Sequence, residues 1–472
     1  MRQFGRLFFF MGMVYNFSTP RPTRQVSMPS DPDSPISLEA LPSPKRQPWK
    51  TQVGALVALF SGKGAREGYL ASLDQGVISA ANFLATVILA RNVDPTELGV
   101  YGVGFISLHL VRSFQEGFVI QPLNVYGASM DETTFKRYAT SSSIIQVLLA
   151  ILSALIVAVS GWVLTVLGND TAGPALFSLW LAFLWWQLQE YVRRMLYTRG
   201  AVFTAVINTV VANTVRLVLM ILWATQSKLS GIAGLYAIAW GALVALIPGI
   251  WSTRAYWTKD FLSIKITWQR NWGFGRWVLG GTLANWVAVE FYPVLAAGLI
   301  SFAAAGAYRA LQNLVAPIHL LLRATDTFLT PRAANIYEKN GQRALSRTLR
   351  LIYLAAGIPI LAILIVAMTF PKQLLHLVYG DTYLAYSDGV VLMALFYALW
   401  FAYWPLQTIF KAARLSRPIF VANLVAILLM FTMGIWMILR WGVYGTIAGQ
   451  ALNSLIVGLI LWGTWIGIKR NA

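Results

Sequence analysis

The chain has 472 residues, 57% of them hydrophobic and only 12% charged, with 37 basic residues against 18 acidic ones and a formal net charge of +19. Soluble proteins carry about 25% charged residues, so a soluble globular domain is excluded; a nucleic-acid partner is not expected, because the basic residues lie between apolar runs. Mean hydropathy is +0.61. There is no cysteine, and the three histidines (His109, His319, His376) are too far apart for zinc spacing, so disulfides, thiol chemistry and a metal or other cofactor are not expected.

Residues 1–17, "MRQFGRLFFFMGMVYNF", contain a short apolar run with no small-residue cleavage site after it, so no signal peptide is assigned; Met28 is an alternative start. Residues 1–48 read as a disordered cytoplasmic tail, rich in Pro, Ser and charge from residue 18 onward. Residues 49–68 read as an amphipathic interfacial helix, with Trp49, Val53, Leu56, Val57 and Phe60 on one face.

Twelve runs follow that are long and apolar enough to cross a bilayer. They lie near residues 69–90, 99–121, 140–167, 173–192, 201–225, 231–251, 273–300, 303–329, 348–369, 385–409, 418–439 and 442–467, and are numbered here as spans 1 to 12. Of the 37 basic residues, 29 fall on the side of the N-terminal tail, including Lys136, Arg193, Arg194 and Lys411, whereas Arg91, Lys228, Lys372 and Arg440 fall on the other. Positive charge stays inside, so both termini are expected in the cytoplasm.

An internal repeat sets the architecture. "NFLATVILARNVDPTELGVYG" begins at Asn82 and "EFYPVLAAGLISFAAAGAYRA" at Glu290; one gap aligns Asn82 with Glu290 and Gly99-x-Tyr101 with Gly306-x-Tyr308. The copies lie six spans apart, and an even number makes the halves parallel. The expected fold is an all-α polytopic membrane protein of twelve transmembrane helices. They form two six-helix bundles, 69–251 and 273–467, around a central cavity, joined by a cytoplasmic linker at 252–272.

Four arginines lie inside spans: Arg112, Arg216, Arg309 and Arg323. A charge at mid-bilayer costs about 2.5–3.5 kcal/mol on insertion scales and persists where it faces water or a partner. His109, Arg112 and Glu116 share one face of span 2. Arg309, Asn313 and Arg323 share a face of span 8, and span 7 carries Asn285 and Glu290. Asp74 lies near the cytoplasmic end of span 1. The planar guanidinium fork suits phosphate and carboxylate. Arg112, Arg216, Arg309, Arg323, Asn285 and Asn313 are therefore the expected substrate-binding residues, and Glu290, His109, Asp74 and Glu116 the expected ion-coupling ones. Structural readings compete: Asn313 as an interhelical hydrogen bond, Glu116 and Arg323 as ion pairs near the inner surface, Asp74 as a helix-terminal carboxylate.

Five stretches resemble one family: "SLDQGVISAANFLATVILARNVDPTELGVYG" from Ser72, "EYVRRMLYTRG" from Glu190, "VAVEFYPVLAAGLISFAAAGAYRA" from Val287, "LVYGDTYLAYSDGVVLMAL" from Leu377 and "GVYGTIAGQALNSLI" from Gly442. They are similar to the polysaccharide transporter (Wzx-type flippase) branch of the multidrug/oligosaccharidyl-lipid/polysaccharide exporter (MOP) superfamily. The resemblance implies two halves across a central cavity and alternating access in the bacterial inner membrane. It implies a lipid-linked oligosaccharide as cargo, typically undecaprenyl-diphosphate-linked, with a carboxylate at Glu290. A proton or sodium counter-ion, membrane lipid and a polysaccharide polymerase are the implied partners, and the protein is expected not to be an enzyme. The two extra spans of lipid II flippases are not found, and the proline-rich tail departs from the family pattern. A drug or cation exporter of the same superfamily, and a membrane polymerase or ligase of lipid-linked sugars, are the alternatives.

Overall fold

The computed structural model describes residues 63–319, 321–322, 349, 353–354, 356–412 and 415–470. The expected tail and most of the expected interfacial helix lie outside these residues, as does Arg323. Every regular element among the described residues is helical. Six stretches are long and apolar enough to cross a membrane: Arg66–Asn92, Glu132–Val166, Val202–Thr225, Gly231–Tyr256, Leu384–Phe410 and Arg417–Ile468. Two bent pairs, Ile264–Glu290 with Tyr292–Leu299 and Ala356–Thr369 with Pro371–Tyr379, raise the number to eight. The helices of spans 2 and 4, Pro95–Gln115 and Ala172–Thr198, are not in that set; they carry Arg112, Glu190, Arg193 and Arg194.

Span 1 belongs to a helix that starts at Lys63, so the part of the interfacial segment within the described residues runs into the span without a break. Spans 11 and 12 meet at Gly442, whose φ of 59° is left-handed and open to glycine at no steric cost. The chain reverses there. Asn453 Nδ2 donates to the Ala426 carbonyl at 3.0 Å, and a Cβ on Gly445 would lie 1.9 Å from the Met437 carbonyl oxygen.

The repeat appears as contact. Span 2 starts at the cap Asp94, which accepts from the Thr96 amide at 2.7 Å, and span 8 at the equivalent cap Ser301, which accepts from the Ala304 amide at 3.2 Å. The two helices then cross backbone to backbone. A Cβ on Gly99 would sit 1.8 Å from the Phe302 carbonyl oxygen, and one on Gly306 would sit 1.9 Å from that of Pro95. Pro95 and Phe302 hold the same place in the two copies, so the contact is self-complementary, as at a twofold interface.

The linker is tied down. The Leu262 carbonyl accepts from Ser141 Oγ at 2.6 Å, the Thr258 amide donates to Thr140 at 3.0 Å and Trp257 Nε1 donates to Ser143 at 3.1 Å, all on span 3. Arg137 adds an ion pair to Asp260 at 3.3 Å.

Span 7 continues this attachment. Asn271 accepts from the Tyr138 hydroxyl at 2.8 Å and donates to the Phe118 carbonyl at 2.9 Å, and Trp286 Nε1 donates to the Ile106 carbonyl at 3.3 Å. The same stretch also touches the span 11 helix. The partners change near Glu290. The Val289 carbonyl accepts from Gln450 of span 12 at 3.0 Å, Tyr292 packs on Gly434 and Gly449, and the helix bends by 55°.

Gly99→Leu is expected to destabilise the protein by about 1–3 kcal/mol, the range for overpacking a tight contact. Gly76→Ala, mid-helix where an added Cβ meets nothing within 4 Å, should not lower thermal stability in detergent and should raise it by up to about 1 kcal/mol.

Candidate functional site

Span 2 is the spine of the site. Tyr101, Phe105 and His109 follow one another at helical i, i+4 spacing, with ring centroids 6.2 Å apart for the first pair and 4.9 Å for the second. Arg112 and Glu116 continue the same face.

Arg216, from span 5, is buried. It donates to Asn82 Oδ1 at 2.8 Å and to the Tyr101 hydroxyl, and its Cζ lies 5.7 Å from the Phe105 ring centre. Arg309, from span 8, is half-buried. Its Cζ lies 5.1 Å from the same ring, and it donates to Gln312 at 3.3 Å. Gly102 leaves room for this: its Cβ position falls 3.5 Å from Arg309 Cγ. Neither arginine has a carboxylate within ion-pair distance among the described residues. Each has its Nε buried without a hydrogen-bond partner there.

One turn along span 2, His109 Nδ1 lies 2.7 Å from Glu290 Oε2. Both side chains are about a third exposed, at 28% and 30%, and Glu290 stands at the bend of span 7. Two of the four residues expected to couple an ion, named separately from the sequence, are therefore in direct contact between the two repeats.

Arg112 lies elsewhere electrically. Its guanidinium is 3.4 Å from Glu190 and 4.0 Å from Glu116. Glu190, 3% exposed, also accepts from Arg193 at 2.8 Å and from Arg194 at 2.9 Å. Arg193 in turn donates to Asp74, which accepts from the Tyr197 hydroxyl at 2.8 Å. Glu116 accepts from Gln121 at 2.7 Å. Three carboxylates and three guanidiniums thus form one balanced network joining spans 1, 2 and 4.

This network corrects the sequence reading in three places. Arg193 is not a solvated loop residue but a buried member of the network, and Asp74 is its ion-pair partner rather than a free helix-terminal carboxylate. Glu190 was missed as a site residue. Its signal was the spacing: Glu190 with Arg193 and Arg194 at i+3 and i+4 puts both cations on the carboxylate's own face. Asn313 is buried and donates to the Phe83 carbonyl at 3.3 Å and the Tyr379 hydroxyl at 3.1 Å, which takes up its amide hydrogens in interhelical bonds. Asn285 is exposed, with no hydrogen bond among the described residues. His319 packs edge-on against Tyr397 and tilted over Trp400.

The fold is one shared with membrane transporters of the MOP superfamily. It is similar over 82% of its length, and 94% of the other chain, to an inward-facing multidrug resistance MATE family transporter of the MOP superfamily, with TM-score 0.66 and 15% identity. It is also similar to the lipid II flippase MurJ in an inward closed conformation, with TM-score 0.63 and 16% identity over 83% of this chain and 86% of that one. A third likeness is to a MOP superfamily transporter from Pyrococcus furiosus, described as having a binding pocket of reverse polarity, with TM-score 0.60 and 14% identity over 87% of this chain and 97% of that one. No curated protein sequence matches. Residues 88–388 match the model of the polysaccharide biosynthesis protein family, and the chain belongs to that family.

Breaking the balanced network is expected to cost about 3–5 kcal/mol, because removing one partner leaves buried charge uncompensated. Glu190→Gln should show this loss in thermal unfolding. Adding Arg194→Met, whose ion pair among the described residues is to Glu190 alone, to Glu190→Gln should recover part of it, as a double-mutant cycle would register.

Proposed function

We propose that this protein is a flippase that moves an anionic lipid-linked oligosaccharide, carried on an undecaprenyl diphosphate, across the bacterial inner membrane by alternating access. One observation carries the reading. Arg216 and Arg309, contributed by the two halves of the repeat, meet at Phe105 without carboxylate partners among the described residues. That gives the seam between the halves an excess of positive charge, suited to phosphate.

Arg309 is the accessible guanidinium of the pair and the first contact for the head group. Arg216, held by Asn82 and Tyr101, supplies fixed positive potential behind it. Arg112 is already balanced by Glu190 and Glu116, so its part is to hold spans 2 and 4 together rather than to take cargo. His109 and Glu290 are the coupling pair: a proton or sodium ion that competes for the carboxylate would loosen the link at the bend of span 7. Arg323 keeps its expected place among the binding residues. The lipid tail would remain in the bilayer while the head group passes between the halves, with both chain termini cytoplasmic and a polysaccharide polymerase receiving the product.

Family membership in polysaccharide biosynthesis and likeness to a lipid II flippase support this reading. A drug or cation exporter would need a site of the opposite sign. An enzyme acting on lipid-linked sugars would find its acid–base groups in His376 and Asp381, an exposed pair 3.4 Å apart.

Purified protein in liposomes should move a fluorescent undecaprenyl-diphosphate-linked oligosaccharide between leaflets. Arg309→Ala should lower the rate by about 10- to 150-fold, matching the loss of one charge-assisted hydrogen bond of about 1.5–3 kcal/mol. Arg112→Ala should act mainly on stability. Equal flipping by wild type and Arg309→Ala would overturn the site, and sugar transfer in place of flipping would favour the enzyme.

A further inference from the structure

Phe105 holds two arginines within cation–π distance of one ring, neither with a carboxylate partner among the described residues. We propose that Phe105 is a positioning residue: its ring sets the spacing of Arg216 and Arg309 and makes them one two-pronged anion receptor, selective for a diphosphate over a monophosphate. This rests on the anionic-cargo reading above and extends it to how the head group is distinguished.

The geometry supplies the argument. An aromatic ring attracts cations to its faces within about 6 Å of its centre, and both guanidinium carbons meet that limit, at 5.7 and 5.1 Å. Two bound cations on one ring cannot be more than about 11 Å apart, given those two distances. Like charges at that separation repel, and the ring opposes the repulsion. A diphosphate carries charge on two linked phosphoryl groups and can answer both prongs at once; a monophosphate answers one.

The ring is itself held from both sides along span 2. Tyr101 stacks near-parallel to it at 25°, and His109 meets it edge-on at 63°. Tyr101 also anchors Arg216 by its hydroxyl, and His109 is anchored by Glu290. Phe105 is thus the point where a residue of the first half (Arg216) and one of the second (Arg309) are referred to the same helix. Arg309 has no carboxylate among the described residues to fix it instead, and its hydrogen bond to Gln312 is long at 3.3 Å. The ring is the strongest described constraint on where that guanidinium points.

The test compares polyprenyl diphosphate with polyprenyl monophosphate of the same chain length, each titrated against the purified full-length protein in detergent. Wild type should bind the diphosphate more tightly. Phe105→Leu should weaken diphosphate binding about tenfold, the worth of one to two cation–π contacts, while monophosphate binding changes little. Phe105→Trp, which keeps a π face, should restore the preference. Phe105→Met, close in volume but without a π face, asks the same question should the leucine variant fail to fold. An unchanged diphosphate-to-monophosphate ratio in Phe105→Leu or Phe105→Met overturns the positioning role while leaving the cargo reading intact. Failure of wild type to bind either probe overturns the cargo reading itself, and this proposal with it.

Discussion

The backbone crossing of Gly99 and Gly306 is the constraint on which the site depends. Side chains at either position would separate spans 2 and 8 by the width of a Cβ or more, because the opposing carbonyl oxygens occupy that space. Arg309 stands one turn beyond Gly306, and its aliphatic stem lies over Gly102. Any separation of the helices would withdraw that arginine from Phe105. The contact is also reciprocal: each copy of the repeat supplies one glycine and one carbonyl. A duplicated chain can therefore make a matched seam from a single motif.

Charge is distributed unevenly along span 2, and the distribution separates two kinds of buried arginine. Towards its C-terminal end, Arg112, Arg193 and Arg194 are met by Glu190, Glu116 and Asp74, and the cluster joins three helices. A network with every charge answered has little pull left for a ligand. Towards the middle, Arg216 and Arg309 are met by neutral oxygens and a ring. Buried charge without a countercharge is costly, which is why this pair, and not the balanced cluster, carries the proposed anion site. Residue type alone did not tell these groups apart; their partners do.

Much of the fold was legible in the sequence because apolar length and loop charge are one-dimensional signals. The helical class, the break between spans 11 and 12, the repeat offset and the pairing of residues on one face of span 2 could all be read from spacing. The Gly-x-Tyr alignment marked the place where the halves touch, although not that the glycines touch each other. The His109–Glu290 contact was named only as two separate candidates, since no periodicity links residues on different spans. Arg193 was misplaced because a cation beside a polar loop counts as cytoplasmic until its partner Asp74, more than a hundred residues away, is seen. Asn313 was open to two readings, and only the positions of Phe83 and Tyr379 favour the structural one.

The clamp on the linker has a further consequence. Because residues 257–262 are bonded to span 3 and the first half of span 7 is bonded to spans 2 and 3, the start of the second copy of the repeat and the boundary of packing do not coincide. The first half of span 7 belongs in sequence to the second copy, yet its hydrogen bonds run to the first. Dividing the gene at the linker would produce a carboxy-terminal fragment whose leading helix has left its seat behind.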